Sequence, residues 1–108
     1  MQDTVNVGDV VSIETRFYRW TTADPIRTIT ADATSGSVVI TKTDATTTTV
    51  LIGAMLHPDT GRYATDQTMS QAGLWQVDWT ATITFTDEDG NARTAAVVKH
   101  DEILVANA

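Results

Sequence analysis

The stretch HPDTGRYATDQTMSQAGLWQVDWTA, residues 57–81, decides the fold. It contains two units of the same kind, DTGRY at 59–63 and AGLWQVDW at 72–79. In each a glycine, Gly61 or Gly73, stands where a chain that reverses direction needs the positive φ that glycine adopts without a Cβ penalty. Tyr63, Trp75, Val77 and Trp79 fall at period two, which predicts one inward face buried between two sheets. These are backbone and packing signals, and nothing in them is laid out like a catalytic site.

Outward from this stretch the period of two continues. In 74–86 the inward row is Trp75, Val77, Trp79, Ala81, Ile83 and Phe85, and the polar row is Gln76, Asp78, Thr80, Thr82, Thr84 and Thr86. The cluster DEDGN at 87–91 then predicts a hairpin turn, followed by an extended segment over 92–105 with a bend near His100 and Asp101. Toward the N-terminus, Val11, Ile13, Thr15 and Phe17 share one face, and Ser12, Glu14, Arg16, Tyr18 and Trp20 the other. Segments 37–43 and 46–53 read as strands joined by a tight turn at Asp44 and Ala45, and 63–68 as another. The segment 21–36 carries no assignment beyond a turn at Asp24-Pro25 and two candidate anchors, Ile26 and Ile29. Many short strands broken by Gly, Pro and Asp, without helical periodicity, predict an all-β fold, an antiparallel two-sheet sandwich forming one domain over 1–108.

Composition narrows the function classes. The chain has 108 residues and no cysteine, which removes disulfides, thiolate metal sites and thiol nucleophiles. Fourteen Asp and Glu against 7 Lys and Arg give a net charge of −7, which repels phosphate backbones and argues against nucleic-acid binding. A Thr-rich β-protein kept in solution by carboxylates accounts for the acidity, with adaptation to high salt as the alternative. No secretion signal begins the sequence and no stretch approaches the apolar length of a membrane span, so the expectation is a soluble chain made in a reducing cytoplasm, without membrane contact.

VGDVVSIETRFY at 7–18, DTGRY at 59–63 and QAGLWQVDWTAT at 71–82 together resemble the immunoglobulin-like, filamin-type domains encoded as small stand-alone reading frames among the structural genes of tailed bacteriophages. The resemblance covers 7–81, with 102–105 fitting the closing strand, and it departs at ITFTDEDGNARTAAVVK, 83–99, which lengthens the final hairpin. It implies an Ig-like sandwich and a non-enzymatic structural protein of the virion, made in host cytoplasm. Several copies would be held by other virion proteins, the capsid, portal or neck subunits. A chain reading as one such domain without leader, linker or anchor fits that expectation. A carbohydrate- or receptor-binding adhesion module is the alternative.

Candidate chemistry is sparse. His57 and His100 lack ligand spacing and read as solvated or capping residues. No serine lies in a nucleophile elbow and no glycines form a phosphate loop, so no catalytic residue, cofactor or metal is expected. DEDGN has the carboxylates of a calcium loop but not its closing Glu, and the hairpin turn is the simpler reading. Trp75, Trp79 and Tyr63 could form a sugar-stacking platform only if they left the core.

Two features point to partner contact. Arg16, Tyr18 and Trp20 lie on the outward face of the first long strand and are of the types that dominate interface hot spots, unless 21–36 folds back over them. The uncharged run ATTTTVLIGAML at 45–56 must be buried in the domain or covered by a partner, for instance by strand addition.

Overall fold

The computed structural model describes residues 4–20, 28–87 and 89–107. Among them ten strands follow in order: β1 Val5–Asn6, β2 Val10–Arg16, β3 Tyr18–Trp20, β4 Thr28–Thr30, β5 Ala33–Thr41, β6 Thr47–Leu51, β7 Leu56–Asp59, β8 Arg62–Thr68, β9 Gly73–Thr86 and β10 Ala92–Ala106. A 3-10 turn, Ile52–Ala54, links β6 to β7. No helix among the described residues is long and apolar enough to cross a membrane. The chain is all-β, with a five-stranded sheet in the order β1-β10-β9-β5-β6, a three-stranded sheet β2-β8-β7 and a short ladder β3-β4. β1 runs parallel to β10, and the other pairings are antiparallel.

β9 organises the core. It lies between β10 and β5, so its backbone is paired on both edges and only its two faces differ. Trp75, Val77, Trp79, Ala81 and Ile83 are buried, while Leu74, Gln76, Thr80 and Thr84 are exposed. Val38 and Ile40 of β5 join the buried row from the same sheet, and Ile13, Phe17 and Tyr63 meet it from across the core. The Phe17 ring stands 6.2 Å from that of Trp79 at 80° and 5.7 Å from that of Tyr63, edge and tilted geometries that suit the ring quadrupoles. Tyr63 therefore does not share a strand with the tryptophans. It belongs to β8 in the opposite sheet, and its hydroxyl accepts a hydrogen bond from the Ala33 amide at 3.0 Å. Trp75 directs its indole N–H to the Gln71 carbonyl at 3.0 Å, so its full burial leaves no orphan donor.

The expected strand through Phe17 to Trp20 is broken at Phe17. The Phe17 amide donates to the Gly61 carbonyl at 2.8 Å and its carbonyl accepts from the Ala31 amide at 3.0 Å. The chain thereby leaves the β2-β8 ladder and joins β4. Gly61 makes the exchange possible: its φ is 74°, and a Cβ there would sit 2.8 Å from the Phe17 carbonyl oxygen.

β5 begins at Ala33, earlier than the expected 37, because a register shift between Ala33 and Ser35 lets it stay paired with β9. β6 ends at Leu51, where the 3-10 turn takes over from the strand expected to Gly53. β10 passes His100 and Asp101 without the expected bend, its ladder with β9 continuous from Thr86↔Ala92 to Gly73↔Val105. The lengthened hairpin at 83–99 is thus the far half of this arm. Asp87 makes its turn: the Asp87 amide donates to the Asn91 carbonyl at 2.8 Å, and the Asp87 carboxylate accepts from the amides of Asp89 and Asn91. Of the unassigned segment, Thr28–Thr30 is a strand and Ala33 onward belongs to β5; Asp24, Pro25 and Ile26 and the side chains of Trp20 and Ile29 lie outside the described residues.

Candidate protein-contact surfaces

Arg16 is the last residue of β2 and Tyr18 the first of β3, on either side of the Phe17 crossover, so burial of Phe17 turns both neighbours outward. Tyr18 is 39% exposed. Lys99 comes to them from the other sheet: its ammonium donates to the Arg16 carbonyl and lies 5.8 Å from the Phe17 ring centre and 5.7 Å from that of Tyr18. Arg16, Tyr18, Lys99 and Asp101 line one shallow recess of about 350 Å³. Arg62 stands opposite Arg16 on β8 and reaches Glu14 at 3.8 Å. Three of the chain's 7 cationic side chains thus gather here, beside the carboxylates of Glu14 and Asp101, and the net −7 is locally cancelled. The strand β3 carries Trp20, whose side chain lies outside the described residues; its backbone pairs with Thr28, so 28–30 does fold back along Tyr18 to Trp20.

Sequence reasoning missed Lys99. Its odd position on β10 predicts an inward side chain, and an inward lysine can only be accommodated at an open margin where its stem crosses apolar rings and its head reaches polar atoms. That signal was present in the period of two.

The outer face of the five-stranded sheet is a second surface. Val98 is 75% exposed, Leu104 72% and Leu74 45%, among the threonines of β9. At its middle the His100 Nδ1 pairs with Asp78 at 2.6 Å, and Nε2 lies 3.9 Å from Glu102. The Asp78 hydrogen bond raises the His100 pKa above its ordinary value; desolvation opposes it, and the charges of Asp78, Glu102 and Asp101 add to the rise.

A third feature is a groove of about 610 Å³ between the start of β5 and the 3-10 turn, with Asp32, Ile52, Met55, His57 and Tyr63 among its walls. His57 stacks on Tyr63, ring centres 4.4 Å apart and 11° from parallel, while its Nε2 pairs with Asp32 at 3.0 Å. Asp32 also accepts the Gly61 amide at 2.7 Å. Both histidines are therefore held by carboxylates. Among the described residues no cluster of three or more His, Asp or Glu is placed to hold a metal.

Trp75 at 0% and Trp79 at 3% exposure present no stacking surface. The uncharged run 45–56 is mostly exposed: β6 forms one edge of the five-stranded sheet, with Leu51 64% and Leu56 65% exposed and only Val50, Ile52 and Met55 packed against the core. Of the two alternatives for that run, burial within the domain is the one the structure does not follow.

Comparisons with protein-family models, with curated proteins and with solved structures return no match.

Proposed function

We propose that this chain is an Ig-like module that acts by protein-protein contact, as a non-enzymatic structural component of a tailed phage particle. The strand order supports the Ig-like part. A sheet β1-β10-β9-β5-β6 facing β2-β8-β7 has the Greek-key distribution of an immunoglobulin sandwich with one added edge strand. The hallmark disulfide is absent, and Trp75 and Trp79 of β9 with Phe17 and Tyr63 fill the space between the sheets.

The contact role is carried by one observation: Arg16 and Tyr18 stand exposed around the Lys99 ammonium in a recess where the chain's overall negative charge is cancelled. Arg and Tyr combine area, stacking and a rigid donor fork, and are enriched where interfaces hold most of their binding energy. The virion role rests on the resemblance of 7–18, 59–63 and 71–82, and the partner would be a larger head or neck subunit.

The test is incorporation. Particles assembled with wild-type chain or with the double variant Arg16→Glu, Tyr18→Ser are purified and their content of the chain compared. The double variant is expected to be reduced by at least about tenfold, the effect of losing one hot spot, while its far-ultraviolet circular dichroism stays that of the wild type. Unchanged incorporation of the folded variant overturns the assignment of this recess. Particles whose density contains no sandwich of this size overturn the virion role.

A further inference from the structure

The two margins of the five-stranded sheet are built differently. The β10 margin is guarded over its half nearest β1: β1 covers its end at Val105 and Ala106, Lys99, His100, Asp101 and Glu102 stand beside that end, and Arg93 stands beyond the uncharged 94–98. Charges of this kind, one of them the inward-pointing Lys99, are how natural sheets discourage edge pairing. The β6 margin has none. From Ala45 to Leu56 no side chain is charged, and β6 pairs only with β5 among the described residues.

The free hydrogen-bonding groups of β6 can be identified. The Lys42 amide donates to the Thr46 carbonyl at 2.8 Å, which makes Lys42 and Thr46 a hydrogen-bonded pair. Antiparallel pairs alternate, so in the register Thr41↔Thr47, Ile40↔Thr48, Val39↔Thr49, Val38↔Val50 and Ser37↔Leu51 the residues bonded to β5 are Thr48 and Val50. The amides and carbonyls of Thr47, Thr49 and Leu51 then point away from the sheet.

We infer that this edge pairs with the same edge of a second copy, β6 antiparallel to β6 about a two-fold axis at Thr49, joining two sheets into one. The register is self-complementary: Thr49 opposes Thr49, Thr47 opposes Leu51, and the open groups of those residues form about six backbone hydrogen bonds. Thr48 then meets Val50 on the inner face, so both faces carry the β-branched and apolar cross-strand pairs that stabilise sheets. Leu51, one of the largest exposed apolar side chains, stands on β6 itself and becomes partly covered by Thr47 of the second copy. A second copy offers the matching edge, with its outward groups at the same three positions and no charge over 45–56. Two chains of net charge −7 repel over most of their surfaces, and the uncharged 45–56 margin is where like copies approach at least cost. A contact of one short strand per copy buries less than the about 1,200 Å² of a stable interface, so the dimer is concentration-dependent and gains its use where copies are held close together. The inference does not depend on which partner the Arg16 and Tyr18 recess meets.

The absence of cysteine makes the test clean. In an antiparallel hydrogen-bonded pair the Cα atoms stand about 5.5 Å apart, within the about 4.4–6.8 Å that a disulfide spans. Under mild oxidation Thr49→Cys is expected to form a covalent dimer at least about tenfold faster than Glu102→Cys, which lies beside Asp101 on the guarded margin, because docking raises the local thiol concentration. Thr47→Cys mixed with Leu51→Cys is expected to cross-link as a heterodimer, whereas Thr47→Cys alone is not, its partner lying about 14 Å away. In sedimentation experiments the wild type is expected to self-associate as concentration rises and Thr49→Lys to remain monomeric, although that change makes the chain less negative. Equal cross-linking at 49 and 102, cross-linking of Thr47→Cys with itself at the rate of the mixture, or self-association that survives Thr49→Lys overturns the inference.

Discussion

Two residues with left-handed backbone respond oppositely to exchange of a single methyl group. Ala45 closes the β5-β6 turn at a φ of 71°, where an L-residue pays about 1–2 kcal/mol for the crowding of its Cβ. Its neighbours hold it there: the Asp44 carboxylate accepts from the Thr46 amide at 3.0 Å and from Gln71 Nε2 at 2.7 Å. Glycine at this position removes the crowding and returns about 0.5–1 kcal/mol of chain entropy to the unfolded state. Ala45→Gly is therefore expected to stabilise the protein by up to about 1 kcal/mol. Gly61 has a similar φ but no room, with the Phe17 and Ala31 backbones against the missing Cβ and its amide committed to Asp32. Gly61→Ala is expected to cost about 2–4 kcal/mol, combining left-handed strain with displacement of the Phe17 crossover. Denaturant midpoints of the two variants check both signs; a destabilised Ala45→Gly would mean the turn is not strained. The need at Gly61 was legible because a glycine stood in the right pattern. The strain at Ala45 was not, since Asp-Ala announces a turn without announcing which residue takes the positive φ.

At the scale of elements, β9 was the most legible, because burial alternates along it without interruption and both its edges are paired. The break of the first long strand was hidden for the opposite reason: Phe17 keeps the inward phase of Ile13, and period alone cannot show that its backbone bonds go to Gly61 and Ala31 instead of to a continuing ladder. The β9-β10 arm and the β5-β6 turn also carry the titrations that matter. His100, raised chiefly by its hydrogen bond to Asp78, stabilises the folded arm fully below the unfolded pKa of about 6.5, and this contribution is lost as pH rises through the folded pKa. Asp44 is lowered to about 2, first by the Thr46 hydroxyl at 2.6 Å and then by Gln71, and Asp87 is lowered chiefly by Arg93 at 2.7 Å. Their contributions are present above the unfolded carboxylate pKa and are lost as pH falls through the folded value. Melting temperature followed against pH is expected to decline on the alkaline side of 6.5 less steeply in His100→Gln than in wild type, and on the acid side of about 4 less steeply in Asp44→Asn. Parallel curves for wild type and variants would show that these pairs do not persist in solution.

For the whole molecule the dominant electrostatic fact is imbalance, 14 carboxylates against 7 Lys and Arg. The described ion pairs between fixed charges are few, Arg93 with Asp87 at 2.7 Å and Arg62 with Glu14 at 3.8 Å. Neither is buried away from water, so salt removes little attraction and relieves much repulsion among the remaining carboxylates. The unfolded chain feels this repulsion less because its charges are farther apart, and screening must therefore favour the folded state. Raising sodium chloride from low concentration to about 0.15 M, where the Debye length is about 8 Å, is expected to raise the melting temperature at neutral pH by a few degrees. Through-space repulsion is then largely screened, so the curve should flatten before 1 M, where the Debye length is about 3 Å. The core of Phe17, Tyr63, Trp75 and Trp79 is complete without any ion, so most of the stability should already be present at low salt. A melting temperature that keeps climbing steeply through molar salt, or a chain unfolded without it, would instead mark the acidity as adaptation to a saline medium, with the carboxylates and their bound cations taking part in holding the fold.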